Sequence, residues 1–109
     1  MMVVFFKTQP RADIDAGGYQ KAAQRMYALA SKMPGFLSFK RYSSDDGDAF
    51  AVVKFESEEA LEAWRNHPEH VEIQRRGREE FYDYYWVQVC KSVREYEWRR
   101  DAARVQSVG

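Results

Sequence analysis

Apolar and β-branched residues crowd the stretch "MVVFFKT" at residues 2–8, which predicts a strand ended by Pro10. Residues 9–17 are polar and close on Gly17–Gly18, which reads as a loop. The spacing then changes. From Tyr19 the apolar positions Tyr19, Ala22, Ala23, Met26, Ala30 and Met33 fall on one helical stripe, while Lys21, Gln24, Arg25 and Ser31 fall largely elsewhere. Pro34–Gly35 stops that helix.

Two strand-like runs follow, "FLSFKRYS" (36–43) and "AFAVVKF" (49–55), and Asp46–Gly47 between them predicts a tight turn and an antiparallel hairpin. Ser57 is placed as a helix N-cap, with Glu58 and Glu59 in the first turn, where the helix dipole favours acidic side chains. Ala60, Leu61 and Trp64 carry the buried stripe of this helix. His67–Pro68 interrupts it, and Pro68 suits the first position of a second helical piece reaching about Gly77. A long final strand is predicted from near Phe81 towards Glu95.

The order β-α-β-β-α-β is the ferredoxin-like arrangement of the α+β class, an antiparallel sheet with both helices on one face. In the last strand Tyr85, Val87, Val89 and Val93 share one side, and Tyr84, Trp86 and Cys90 take the other. Helices can cover only one of these apolar faces, so the other is expected to meet a second copy in a homodimer, with the last strand reaching onto the neighbour.

Composition narrows the picture modestly. The 109 residues suit a single domain over 1–98 followed by a charged tail over 99–109. Lys+Arg and Asp+Glu both number 17, which gives no reason to expect a nucleic-acid or membrane partner. No apolar run approaches the roughly 20 residues of a membrane span. The opening apolar run precedes the first positive charge, the reverse of a secretory leader, so a cytoplasmic protein is expected. One cysteine and two histidines supply neither a disulfide framework nor a structural zinc site. Aromatic residues reach 16%, crowded from Phe81 to Trp98, which points to an aromatic-lined pocket or a subunit interface.

"PGFLSF" after the first helix, "ESEEALEAWRNHPEH", "QRRGRE" and the aromatic start of the last strand together resemble the antibiotic biosynthesis monooxygenase family of dimeric α+β barrels, across residues 2–95. The resemblance implies a cofactor-independent monooxygenase acting on a small aromatic or quinol-like metabolite. A non-catalytic or stress-related small-molecule-binding protein of the same fold is the alternative. Haem-degrading relatives imply a histidine ten residues after the helix-two tryptophan and an asparagine on the first strand. Here Gln74 occupies the first position, and "MVVFFKT" has no asparagine. Relatives that oxygenate polyketides are associated with an asparagine and a tyrosine flanking the same tryptophan, where this chain has Ala60 and His70.

Within that frame His70 is the candidate base, because an imidazole titrates near neutrality. Trp64, His67, Gln74 and Tyr84 are candidate substrate contacts, with Trp64 serving as core and pocket wall together and His67 reading equally as a cap at the helix break. Arg75, Arg76 or Arg78 would neutralise a developing anion. No cofactor is required, since the substrate supplies the electrons. Cys90 reads as a small buried hydrophobe.

Overall fold

The computed structural model describes residues 1–100. The chain runs β1 (Met2–Pro10), α1 (Ala16–Ala30), β2 (Phe36–Ser43), β3 (Ala49–Phe55), α2 (Glu58–Arg65), α3 (Pro68–Arg76), a π-helical turn (Gly77–Phe81) and β4 (Tyr82–Lys91). The four strands form one sheet in the order β2-β3-β1-β4, every neighbour antiparallel, so the predicted ferredoxin-like α+β fold is the fold observed. Most of the tail expected over 99–109 lies outside the described residues. Among those described, no helix is long and apolar enough to cross a membrane.

Local chemistry explains most boundaries. The Ser57 hydroxyl accepts from the Ala60 N–H at 3.1 Å, the expected cap of α2. Gly47 turns the β2–β3 hairpin at φ +88°, in the left-handed region that glycine enters at little cost. At α1 the boundary differs from expectation. The Gly17–Gly18 pair lies inside the first turn of the helix, because Asp15 caps it by accepting from the Gly18 N–H at 3.2 Å. A side chain at Gly18 would place its Cβ 2.6 Å from the Asp15 carboxylate, so the glycine makes room for the cap. The last strand also stops earlier than expected, at Lys91. Its partner β1 begins at Met2, and the last rung between the two runs from Ser92 N–H to Met1 C=O.

Phe55, Met2, Ala30, Leu61 and Trp64 form the core between sheet and helices, with Val4, Met26, Met33 and Val53 packed around them. Residues directly opposite one another in a sheet share a face. The pairs Met2–Phe55, Val4–Val53, Val4–Val89 and Phe6–Val87 therefore place Val87 and Val89 on the helix side with the core. A bulge where Gln9 pairs with Tyr84 but Pro10 with Tyr82 brings Tyr82 to the helix side too, alongside Tyr85. Trp86, Tyr84 and Cys90 face away from the helices, next to Val3, Phe5 and Lys7 of β1.

Candidate functional site

The helical segment from Glu58 to Phe81 is tied to β4 at both ends. Glu58, in the first turn of α2, pairs with Lys91 at 3.7 Å, and Arg78 of the π-helical turn donates to the Tyr85 hydroxyl at 3.5 Å. Between these ties the helix side of β4 is left open. Val87 and Val89 are 46% and 51% exposed there, although they point the same way as the core. The result is a cleft between the α2–α3 segment and β4 with an apolar strand as one wall.

Trp64 and both histidines lie on the spanning segment. Trp64 is 7% exposed and belongs to the core, where its position one turn beyond Ala60 and Leu61 puts it. The His70 ring stacks on it, with centroids 4.5 Å apart and planes 22° apart, and the His67 ring lies 5.9 Å away. Nδ1 of His70 lies 3.4 Å from the Arg65 carbonyl oxygen, which can only accept, so a bond there puts the proton on Nδ1 and the lone pair on Nε2. Burial pushes the His70 pKa below its ordinary 6.5, only partly opposed by the Arg65 and Trp64 carbonyls, so the ring is neutral at pH 7. A neutral imidazole with a free lone pair is the form a general base needs.

His67 has the opposite tautomer and a different job. Its Nδ1 accepts from the Glu69 N–H at 3.1 Å, making it the N-cap of α3 ahead of Pro68. Gln74 lies one turn beyond His70 on α3 and is exposed. An amide does not replace imidazole as a haem ligand of comparable strength, so the residues do not fit haem in the register set by Trp64. Tyr84 is not brought together with these residues. It pairs with Gln9 on the far side of the sheet, its ring 5.9 Å from the Lys7 ammonium.

The three arginines left open by the sequence are distinguished by their partners. Arg75 is held between Glu72 and Glu79, which keep its pKa above the ordinary guanidinium value. Arg76 pairs with Glu80 at 2.9 Å and lies 4.9 Å over the Phe81 ring. Arg78 alone of the three has no carboxylate partner among the described residues, and it leans on the Tyr85 phenol inside the cleft.

Sequence reasoning also missed a tyrosine cluster at the π-helical end. The Tyr82 hydroxyl donates to that of Tyr19 at 3.2 Å, and Tyr85 stands 6.0 Å from Phe6 and 6.3 Å from Tyr82. Burial, reinforced by the Tyr19 hydrogen bond, pushes the Tyr82 phenol far above its ordinary value, so it stays protonated as a donor. Strand alternation from Val87 was signal enough for Tyr85. For Tyr82 it was not, because the bulge reverses the alternation.

A ferredoxin-like α+β domain whose second helical segment carries a stacked Trp64–His70 pair and leaves the apolar Val87 and Val89 of β4 exposed is the class that the fold and site define. The antibiotic biosynthesis monooxygenase family model matches residues 1–76, and the chain belongs to that family. It is 37% identical to the uncharacterized protein YqjZ of Bacillus subtilis over 78 residues, covering 72% of this chain and 68% of that protein. Rv0793 of Mycobacterium tuberculosis superposes with a TM-score of 0.74 at 21% identity, covering 88% of this chain and 98% of that one. A mutant of SnoaB from Streptomyces nogalater, described as a cofactor-independent oxygenase, gives a TM-score of 0.70 at 10% identity, with 86% and 94% covered. At these identities the two solved structures speak for the fold alone.

Proposed function

We propose that this protein is a cofactor-independent monooxygenase of a small aromatic or quinol-like metabolite. The observation that carries the reading is the neutral His70, stacked on Trp64 with its Nε2 lone pair free, on the helical segment whose ends are tied to β4. Family membership and the likeness to SnoaB, an oxygenase working without a cofactor, support it. In this mechanism the substrate ring lies against Val87, Val89 and Trp64. Nε2 of His70 takes a phenolic proton, and the Arg78 guanidinium holds the resulting anion. The electron-rich substrate then reduces O₂ directly. A ring methylene conjugated to the phenolate gives up two hydrogens and becomes a carbonyl, one oxygen atom entering the product and the other leaving as water. The protein supplies position, exclusion of water and charge stabilisation.

Oxygen uptake across a panel of anthrones and hydroquinones, without added metal or flavin, tests the reading. The expected result with the anthrones is one O₂ consumed per product, one ¹⁸O from ¹⁸O₂ in the new carbonyl, and a loss of about 10²-fold in kcat for His70→Ala. Undiminished turnover by His70→Ala would remove the proposed base. Ligand binding without turnover across the panel would leave the binding-protein alternative.

We also infer that the protein works as a homodimer joined through the outer sheet face. Phe5 and Phe50 lie together on that face, 5.8 Å apart, and the Lys7 ammonium sits 5.6 Å from the Trp86 ring. Beyond β4 the chain continues with Val93 at 97% exposure and with exposed Tyr96 and Trp98, apolar surface that a second copy would cover. Light scattering is expected to give twice the 12.9 kDa chain mass, and Trp86→Lys to give monomer. A monomeric wild type would end this inference.

A further inference from the structure

At the opposite edge of the sheet from the cleft, α1 crosses β2 and leaves a groove of about 330 Å³. Tyr27 and Phe39 form an aromatic corner there, their rings edge-to-face at 5.7 Å and 72°, and Ala23 keeps the space between helix and strand open. Arg41 closes the groove, its guanidinium carbon 5.5 Å from the centre of the Phe39 ring. Arg25 of α1 is held by a two-pronged contact with Glu69. Arg41, by contrast, has no carboxylate within ion-pair distance among the described residues. Its neighbours in the groove are the Gln24 amide and apolar or aromatic side chains. Arg41 itself is exposed at the mouth of the groove.

An aromatic corner closed by an uncompensated planar cation is complementary to a flat, negatively charged ligand. Rings stack on rings, and a carboxylate matches the guanidinium fork with two parallel hydrogen bonds. The volume suits one or two fused rings. We propose that the α1–β2 groove is a second small-molecule site, selective for aromatic carboxylates, with Arg41 as the anion-binding residue and Tyr27 and Phe39 as the stacking wall. It is separate from the candidate catalytic cleft. Strands β2 and β4 are the two edges of the sheet, three strand spacings or about 14 Å apart, and no residue is common to both sites.

The test is an NMR titration of the ¹⁵N-labelled full chain with 2-naphthoate and, in parallel, with neutral 2-naphthamide. Saturable shifts centred on Gln24, Tyr27, Phe39 and the Arg41 Nε–H are expected, with the amide binding about tenfold more weakly. Arg41→Gln should weaken naphthoate by about tenfold and leave the amide unchanged, whereas Arg41→Lys, which keeps charge but not the fork, should fall between. The same spectra report whether each variant is folded. His70→Ala should bind naphthoate as the wild type does, which separates this site from the proposed oxygenase cleft. Three results would each overturn the proposal: no saturable binding, equal affinity of acid and amide, or shifts centred on Tyr85–Val89 and unaffected by Arg41→Gln.

Discussion

Replacing Trp64 with leucine removes the ring on which His70 stacks while keeping an apolar side chain in the core. Two separable effects follow. Trp64 packs with Met2, Phe55 and Leu61, so the first is a core truncation. Tryptophan to alanine costs about 3–5 kcal/mol, and leucine refills roughly half of the space, leaving a cost of about 2 kcal/mol. For a domain of this size that lowers Tm by about 10 °C. The second effect is electrostatic. Burial is what depresses the His70 pKa, and without the indole, water reaches the imidazole and its pKa rises towards 6.5. In the wild type, stability is complete above pH 6.5, where His70 is neutral both folded and unfolded. As the pH falls below 6.5 the unfolded chain takes the proton first, and stability is lost until the folded His70 is protonated as well. Each tenfold difference in proton affinity is worth about 1.4 kcal/mol. The leucine variant should therefore start less stable and lose less on acidification. NMR titration of the two histidine Cε1–H signals, with urea unfolding at each pH, measures both effects. A wild-type His70 pKa at or above 6.5, or one unmoved in a folded Trp64→Leu protein, would refute the reasoning.

Other consequences are simpler to measure. Gly35 adopts φ +84°, and a Cβ there would stand 2.5 Å from the Ala60 Cβ of α2, whereas a Cβ at Gly47 meets nothing. Gly35→Ala should cost about 3 kcal/mol and Gly47→Ala about 1 kcal/mol in denaturant unfolding, since only the first adds a clash to backbone strain. His67→Ala should lose the cap of α3 at about 1 kcal/mol, and His67→Asn should recover most of it. Equal stability of the two would mean that the Nδ1 contact contributes nothing. In a turnover assay Arg78→Gln should lower kcat/KM by about tenfold or more while Arg75→Gln changes it little, because Arg75 is already neutralised by Glu72 and Glu79.

The sequence was most informative where one residue's chemistry decides the backbone. Ser57, His67, Pro68 and Gly47 each sit where cap and turn preferences put them, and the helical stripe through Ala22, Met26 and Ala30 does face the sheet. It misled where a tertiary partner decides. Gly17–Gly18 looks like a loop until Asp15 is seen to cap it, and β4 has strand-like residues beyond Lys91, but its pairing with β1 ends at Met2–Lys91. The site was legible by type more than by place. Trp64 and His70 emerge together, yet alternation counted through the bulge says nothing of Tyr82, and Tyr84 lies across the sheet from them. Spacing alone does not choose among Arg75, Arg76 and Arg78, since the choice rests on which carboxylates reach which guanidinium.

The stack of Trp64 on His70 also has an optical meaning. An indole beside a protonatable imidazole is a fluorophore beside its own quencher, for the imidazolium accepts an excited electron far better than neutral imidazole does. The chain's other tryptophans lie elsewhere, Trp86 beneath Lys7 on the outer sheet face and Trp98 exposed beyond β4. With those two replaced by phenylalanine, the emission of Trp64 would dim as His70 takes up its proton and change when a ring enters the cleft. The protein carries its own indicator for the residue on which its proposed chemistry depends.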